Sequence, residues 1–177
     1  MDEPRWLTDD EQRTWRSYLA MTELVRATIA RDLMSASGMS EPEFTVLVHL
    51  SERSGREVRM SDLADGLGWS KSRLSHQVAR MEARGLVERS GCPSDARGSF
   101  ARLTAAGLAE IERAAPHHVH SVRRVLIDAL DPDQLAALRT IADTVISRAR
   151  EDGEHRFDAL FRLLSDNCPT GDPARRP

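Results

Sequence analysis

Apolar residues recur three or four apart along most of this chain, the spacing of a buried helical stripe, and strand-like alternation is confined to one short stretch. Thr8-Asp9-Asp10-Glu11 has the form of a capping box, in which the Thr8 hydroxyl and the Glu11 carboxylate satisfy amides that a helix start leaves unpaired. The helix it opens carries Trp15, Tyr18, Leu19, Thr22, Val25, Ile29 and Leu33, and is predicted to run to about Ser35, ahead of Gly38. Ser40-Glu41-Pro42-Glu43 repeats the signal before Phe44, Leu47, Val48 and Leu50, and Ser54-Gly55 ends that helix.

Ser61 is predicted to cap a short helix over 62–67, stopped by Gly68, and Ser70 a second over 71–84, stopped by Gly85. Two helices joined by so short a turn form a helix-turn-helix candidate. In the second, Leu74, Val78 and Met81 make the buried stripe. Lys71, Ser72, Arg73, Ser75, His76, Gln77 and Arg80 are then expected to face outward, with no carboxylate before Glu82. Leu86 to Ser90 and Ser99 to Leu103 read as the strands of a β-hairpin with a long tip over 91–98. Thr104 caps a helix with Leu108, Ile111 and Ala115, bent near Pro116 and continued by Val119, Val122, Leu126 and Leu130. Asp131-Pro132-Asp133-Gln134 opens another, with Leu135, Leu138, Ile141, Val145 and Ala149, and a last segment over 155–164 adds Phe157, Leu160, Phe161 and Leu164.

The expected fold class is therefore mainly α: a winged helix-turn-helix with a small β-hairpin wing between long N- and C-terminal helices. The predicted organisation is an N-terminal dimerisation helix over 8–38, a reading domain over 40–104, C-terminal dimerisation helices over 105–165 and a disordered tail over 167–177. With 177 residues, 40% of them hydrophobic and 30% charged, the chain is the size of one globular domain with at most a small extension. No run approaches the ~20 apolar residues of a membrane span, and acids stand where a secretory signal would be apolar, so a cytoplasmic protein without membrane contact is expected. Cys92 and Cys168 fit neither a metal finger nor a disulfide framework and read as reduced thiols.

A net charge of −3 argues against nucleic acid only as an average. Between 59 and 103, Arg59, Lys71, Arg73, Arg80, Arg84, Arg89, Arg97 and Arg102 face Asp62, Asp65, Glu82, Glu88 and Asp95, a local +3 that leaves −6 on the rest. Lys71 is the one lysine among 25 basic residues, a bias that reads as the codon usage of a GC-rich genome.

This stretch resembles the MarR family of bacterial transcription regulators. The resemblance is carried by Met60-Ser61-Asp62-Leu63-Ala64, by Trp69-Ser70-Lys71-Ser72-Arg73-Leu74-Ser75 and by the run Arg80-Met81-Glu82-Ala83-Arg84-Gly85-Leu86-Val87-Glu88-Arg89. It continues through Asp95-Ala96-Arg97-Gly98 into Leu103-Thr104-Ala105-Ala106-Gly107. It implies a homodimer of triangular outline, joined through the N-terminal helix and the last two helices, with wings that reach the minor groove. The function it implies is sequence-specific regulation of transcription, as a repressor released by a small-molecule effector.

The residues support the same contacts. The major groove admits an α-helix, and the short Ser70, Ser72 and Ser75, together with Ser61, let backbone approach DNA closely, while a helix N-terminus favours phosphate. Arg73, His76 and Gln77 are long enough to reach base edges, and Arg80 to reach base or phosphate. In the wing, Asp95 stands two residues before Arg97 and is placed to orient its guanidinium toward a narrow groove. Arg84 and Arg89 read instead as shielded or paired with Glu82 and Glu88. The expected partners are double-stranded DNA with an inverted-repeat operator and a second copy of the chain. The resemblance also implies an aromatic or phenolic effector, for which Trp15, Tyr18, Phe44, Val48 and His117 are the candidate cleft residues; as apolar helical positions the same residues also read as core or dimer contacts.

Other readings stay open. Catalysis has no phosphate loop, nucleophile elbow or HExxH to stand on, and neither cofactor nor bound metal is expected. His117 and His120, at i and i+3, have the spacing to share a metal, but the first two helices lack a matching Cys and Glu set. Cys92 beside Arg89 is the one candidate for redox sensing, without an evident resolving partner. A winged helix that docks protein is the alternative from another class.

Overall fold

The computed structural model describes residues 4–92 and 95–151, with side chains described outside 92–98. Helix α1 (Asp9–Ser37) starts on its capping box: Thr8 N donates to Glu11 Oε2 at 2.7 Å, and Glu11 N to Thr8 Oγ1 at 3.3 Å. Gly38 ends it in the left-handed region at φ 67°, where a side chain would be strained, and donates to the Met34 carbonyl. Helix α2 (Glu41–Ser51) follows, with Ser40 N and Oγ both donating to Glu43 Oε2.

A three-residue strand β1 (Glu57–Arg59) leads into α3 (Met60–Leu67) and, across a turn at 68–70, α4 (Lys71–Ala83). Strands β2 (Val87–Cys92) and β3 (Asp95–Leu103) form the wing. Helix α5 (Ala105–Val122) passes into a π-helical turn (Arg123–Ile127), and α6 (Pro132–Glu151) is capped by Asp131, whose Oδ1 accepts from Gln134 N. The sheet is antiparallel in the order β1-β3-β2, with Val87 opposite Leu103 and Val58 opposite Ala101. A winged helix-turn-helix within a mainly helical chain is the fold expected from the sequence.

Several details correct the sequence reading. The wing strands extend to Cys92 and from Asp95, through most of the stretch expected to be loop, with a bulge between Gly91 and Cys92. Backbone ladder bonds need no apolar side chains, so the polar composition of 91–98 hid the strand. Strand β1 carries no strand signal in the sequence, since Val58 is its one apolar residue. Helix α3 starts at Met60 with Arg59 as N-cap; Ser61 lies inside it and donates to Asp62 Oδ1 rather than capping. Pro116 lies within α5 without dividing it. Phe157, Leu160, Phe161, Leu164, Cys168 and the 167–177 tail lie outside the described residues.

The core sits beneath the reading helices. Leu47 and Leu50 of α2, Leu63 and Ala64 of α3, Leu74, Val78 and Met81 of α4, Val87 and Ala101 of the wing and Ile111 of α5 are all buried together. Each large side chain so buried contributes roughly 1.5–3 kcal/mol relative to exposure. His49 lies in the same layer with neither ring nitrogen partnered among the described residues, and burial, helped by nearby Arg53, pushes its pKa down to about 4. The wing closes on α5 at Gly107: a Cβ there would lie 2.0 Å from the Leu86 carbonyl oxygen, and that carbonyl also accepts from Thr104 N.

Outside this core the chain leaves apolar stripes uncovered. Helix α6 buries no residue, and Ile141 and Val145 are 61% and 62% exposed. On α1, Trp15, Tyr18, Leu19 and Leu24 are exposed as well. No helix among the described residues is long and apolar enough to cross a membrane.

Candidate nucleic-acid interface

Ser70 caps α4 through its own side chain, Oγ accepting from Arg73 N at 3.2 Å. The helix then exposes Lys71, Ser72, Arg73, Ser75, His76 and Arg80. Gln77, expected on that face, is 3% exposed instead. Three residues past Leu74 and one before Val78, it falls on the edge of the buried arc, and its Oε1 accepts from an Arg80 guanidinium N–H. Gln77 thereby satisfies its own acceptor and tethers Arg80. Ser61 on α3 is half-buried.

The structure sorts the basic residues of this region by their partners. Arg84 pairs with Glu43 across α4 and α2, a partner 41 residues away in place of the neighbouring Glu82 or Glu88. Burial pushes the Glu43 pKa up, but the Ser40 hydrogen bonds and Arg84 outweigh it and hold the carboxyl below its ordinary value. Arg89 does lie beside Glu82, at 3.7 Å, and donates to the Ser75 carbonyl at 2.5 Å. Arg102 lies between Glu57 at 3.3 Å and Glu88 at 3.4 Å, its cross-strand neighbours on both sides. Arg59 lies over the Phe100 ring at 5.9 Å.

Lys71, Arg73 and Arg80 remain as α4 cations without a carboxylate partner among the described residues. Among the described residues, three cations without a carboxylate partner therefore gather on the α4 face. The Arg73 guanidinium carbon lies 4.1 Å from the centroid of the Trp69 ring. Trp69 is half-buried against the core, and its backbone N–H donates to the Ala64 carbonyl at 2.9 Å. The sequence places Trp69 in the family motif but assigns it no role; the available signal is an aromatic just before an N-cap serine with an arginine four residues on. In the wing, Asp95 stands opposite Cys92 at the start of β3 and Arg97 two residues along. The expected pairing of their side chains lies outside the described ones.

The residues expected to line an effector cleft separate into two groups. Phe44 is buried and stacks on His118 at 4.4 Å, with Val48 half-buried one turn further on, whereas His117 is exposed. Burial lowers the His118 pKa against the pull of Glu41, and its Nδ1 is buried without a partner among the described residues. Trp15 and Tyr18 stack on each other at 5.7 Å, and no described ring contact joins them to Phe44. Among the described residues no group of three His, Cys, Asp or Glu is placed to hold a metal ion.

Residues 37–98 match the MarR family. Sco3205, a MarR family transcriptional regulator from Streptomyces coelicolor solved in complex with DNA, is 44% identical, with 82% of this chain and 91% of that one covered at a TM-score of 0.77. AbsC, a MarR family transcriptional regulator from the same organism, is also 44% identical, with coverage of 84% and 99% and a TM-score of 0.77. The transcriptional repressor MprA of Escherichia coli K12 is 26% identical over 116 residues, 66% of this chain and 65% of that protein. A winged helix-turn-helix fold together with 44% identity along most of two such regulators leads to one conclusion: the chain belongs to the MarR family of transcriptional regulators.

Proposed function

We propose that this protein is a homodimeric, sequence-specific DNA-binding regulator, a repressor released by a small-molecule effector. The observation that carries the reading is the α4 face, where Lys71, Arg73 and Arg80 keep their charge while Arg84, Arg89 and Arg102 are neutralised by carboxylates. A helix face whose cations have no carboxylate partner among the described residues, with small serines and no acid before Glu82, suits the major groove. The relative Sco3205 was solved with DNA and MprA is named a repressor, which favours the same role here.

Dimerisation is supported by the uncovered stripes of α1 and α6. Exposed apolar surface of this extent on flanking helices is the kind that a two-fold mate covers. Two α4 helices related by a two-fold axis call for an inverted-repeat operator with half-site centres ~10 bp, or a multiple, apart. For the effector, the joint between α2 and α5 at Phe44, Val48 and His118 is the favoured location, replacing the expected His117.

Selection from randomised duplexes, followed by affinity measurements across a salt series, tests the reading. An enriched palindrome bound with a steep salt dependence is expected. Failure to enrich any sequence, or binding indifferent to salt, favours a protein-docking surface instead. Light scattering is expected to give a dimer at micromolar concentration, and Val145→Glu a monomer.

A further inference from the structure

We propose that Trp69 is a positioning residue for base recognition, which holds Arg73 ready to read a base edge before DNA arrives; the inference rests on the DNA-binding role proposed above. Both ends of Arg73 are tied to the turn that precedes α4. Its backbone N–H donates to the Ser70 hydroxyl at 3.2 Å, and its guanidinium lies on the Trp69 ring at 4.1 Å. The ring is itself fixed, wedged against the core and anchored by the bond from Trp69 N to the Ala64 carbonyl. A free arginine on a helix surface samples many rotamers, and most of them do not face a base.

Contact through the ring face engages the charge and spends none of the guanidinium's N–H donors, and no described acceptor takes them. Those donors are the groups that a guanine O6 and N7 accept in a bidentate contact. Lys71 has no such support, and its rotamers remain free, as suits a phosphate contact that carries no sequence information. The turn residue, which need not touch DNA, thus sets how sharply α4 discriminates one base.

The experiment is a double-mutant cycle on the selected operator, on operators with one base pair changed and on an unrelated duplex, at two salt concentrations. Trp69→Leu is expected to weaken operator binding about fivefold, the equivalent of a cation–π contact worth about 1 kcal/mol. It should leave the unrelated duplex and the salt slope unchanged, and have no further effect once Arg73→Ala is present. Trp69→Phe, which keeps a ring against the core, is expected to fall between and supplies the result if the leucine variant does not fold. Additive losses in the Arg73→Ala background, equal losses on unrelated DNA, or tighter operator binding overturn the proposal. A wild-type protein that enriches no sequence at all sinks the regulator reading itself, whereas an operator bound equally well by wild type and both Trp69 variants sinks only the role of Trp69.

Discussion

Asp32 of α1 accepts a hydrogen bond from the buried Ser121 hydroxyl, 89 residues away at the end of α5, and its same oxygen is paired with Arg124 in the π-helical turn. One carboxylate thus fastens the N-terminal helix to the segment that leads toward α6. The Ser121 bond first, then Arg124 and Arg31, hold its pKa at about 2, below the usual aspartate value. A group whose pKa is lower in the folded state adds stability above its unfolded value, near 4, and loses it as pH falls toward about 2. Asp32→Asn is therefore expected to unfold at lower temperature than wild type at pH 7, with the gap closing between about pH 4 and pH 2. His49 acts earlier: held near 4, it must take up a proton as the chain unfolds between about pH 6.5 and 4, but it does so equally in both proteins. A melting difference that stays constant down to pH 2 would show that Asp32 is an incidental surface acid.

Gly107 sets the close approach of the wing to α5. Alanine in a helix is ordinarily favoured over glycine by about 1 kcal/mol. Here its Cβ would fall 2.0 Å from the Leu86 carbonyl oxygen and 2.8 Å from the Leu103 side chain, and overpacking of that kind costs about 1–3 kcal/mol or more. The backbone atom cannot swing aside as a side chain tip would. Gly107→Ala is expected to lower the urea midpoint, and an unchanged or raised midpoint would mean that the wing base yields without cost.

The features legible in the sequence are those set by neighbours in the chain. The boxes at Thr8 and Ser40, the Ser70 cap and the glycine stops each involve residues within four positions, so their chemistry can be read directly. Strand β1 has no such signal, because Glu57, Val58 and Arg59 become a strand only by pairing with residues near 101. The partner of Arg84 is likewise distant, and nothing local favours Glu43 over Glu82. Gln77 failed for a different reason: it is polar by composition but sits at the edge of the buried arc, where one donor from Arg80 lets a polar group be tolerated. His118 rather than His117 meets Phe44, a difference of one residue and about 100° around the helix.

Lys71 and Arg73 are two positions apart and are expected to behave differently. Arg73→Ala should cost about 1–3 kcal/mol on the selected operator and relax the preference at one base pair, whereas Lys71→Ala should weaken all duplexes alike and flatten the salt slope by about one. The arginine is held by a ring and the lysine is not, which is the structural ground for the distinction. Matching specificity profiles for the two variants would remove it.

The wing supplies the last prediction, drawn from the two arginines of β3, Arg97 and Arg102. Arg102 lies in the middle of the sheet with Glu57 and Glu88 opposite it on either side, so its charge is matched before DNA is present. Arg102→Ala is expected to cost mainly stability, ~0.2–1 kcal/mol for each cross-strand pair removed. Arg97 lies near the free end of β3, and Arg97→Ala is expected to cause the larger loss of DNA affinity, with the salt slope reduced by about one. Asp95→Ala is expected to weaken binding too. Simple charge counting gives the opposite sign, since removing an acid from a strand that meets DNA, as the resemblance implies for the wing, would relieve phosphate repulsion. Against that, an arginine released from an orienting carboxylate loses roughly 1–2 kcal/mol of rotamer entropy on entering the groove. The two effects are close in size, and orientation prevails if Asp95 and Arg97 act as the pair that the family resemblance implies. Tighter binding by Asp95→Ala at physiological salt would make Asp95 an ordinary strand-end residue and leave Arg97 to act on its charge alone.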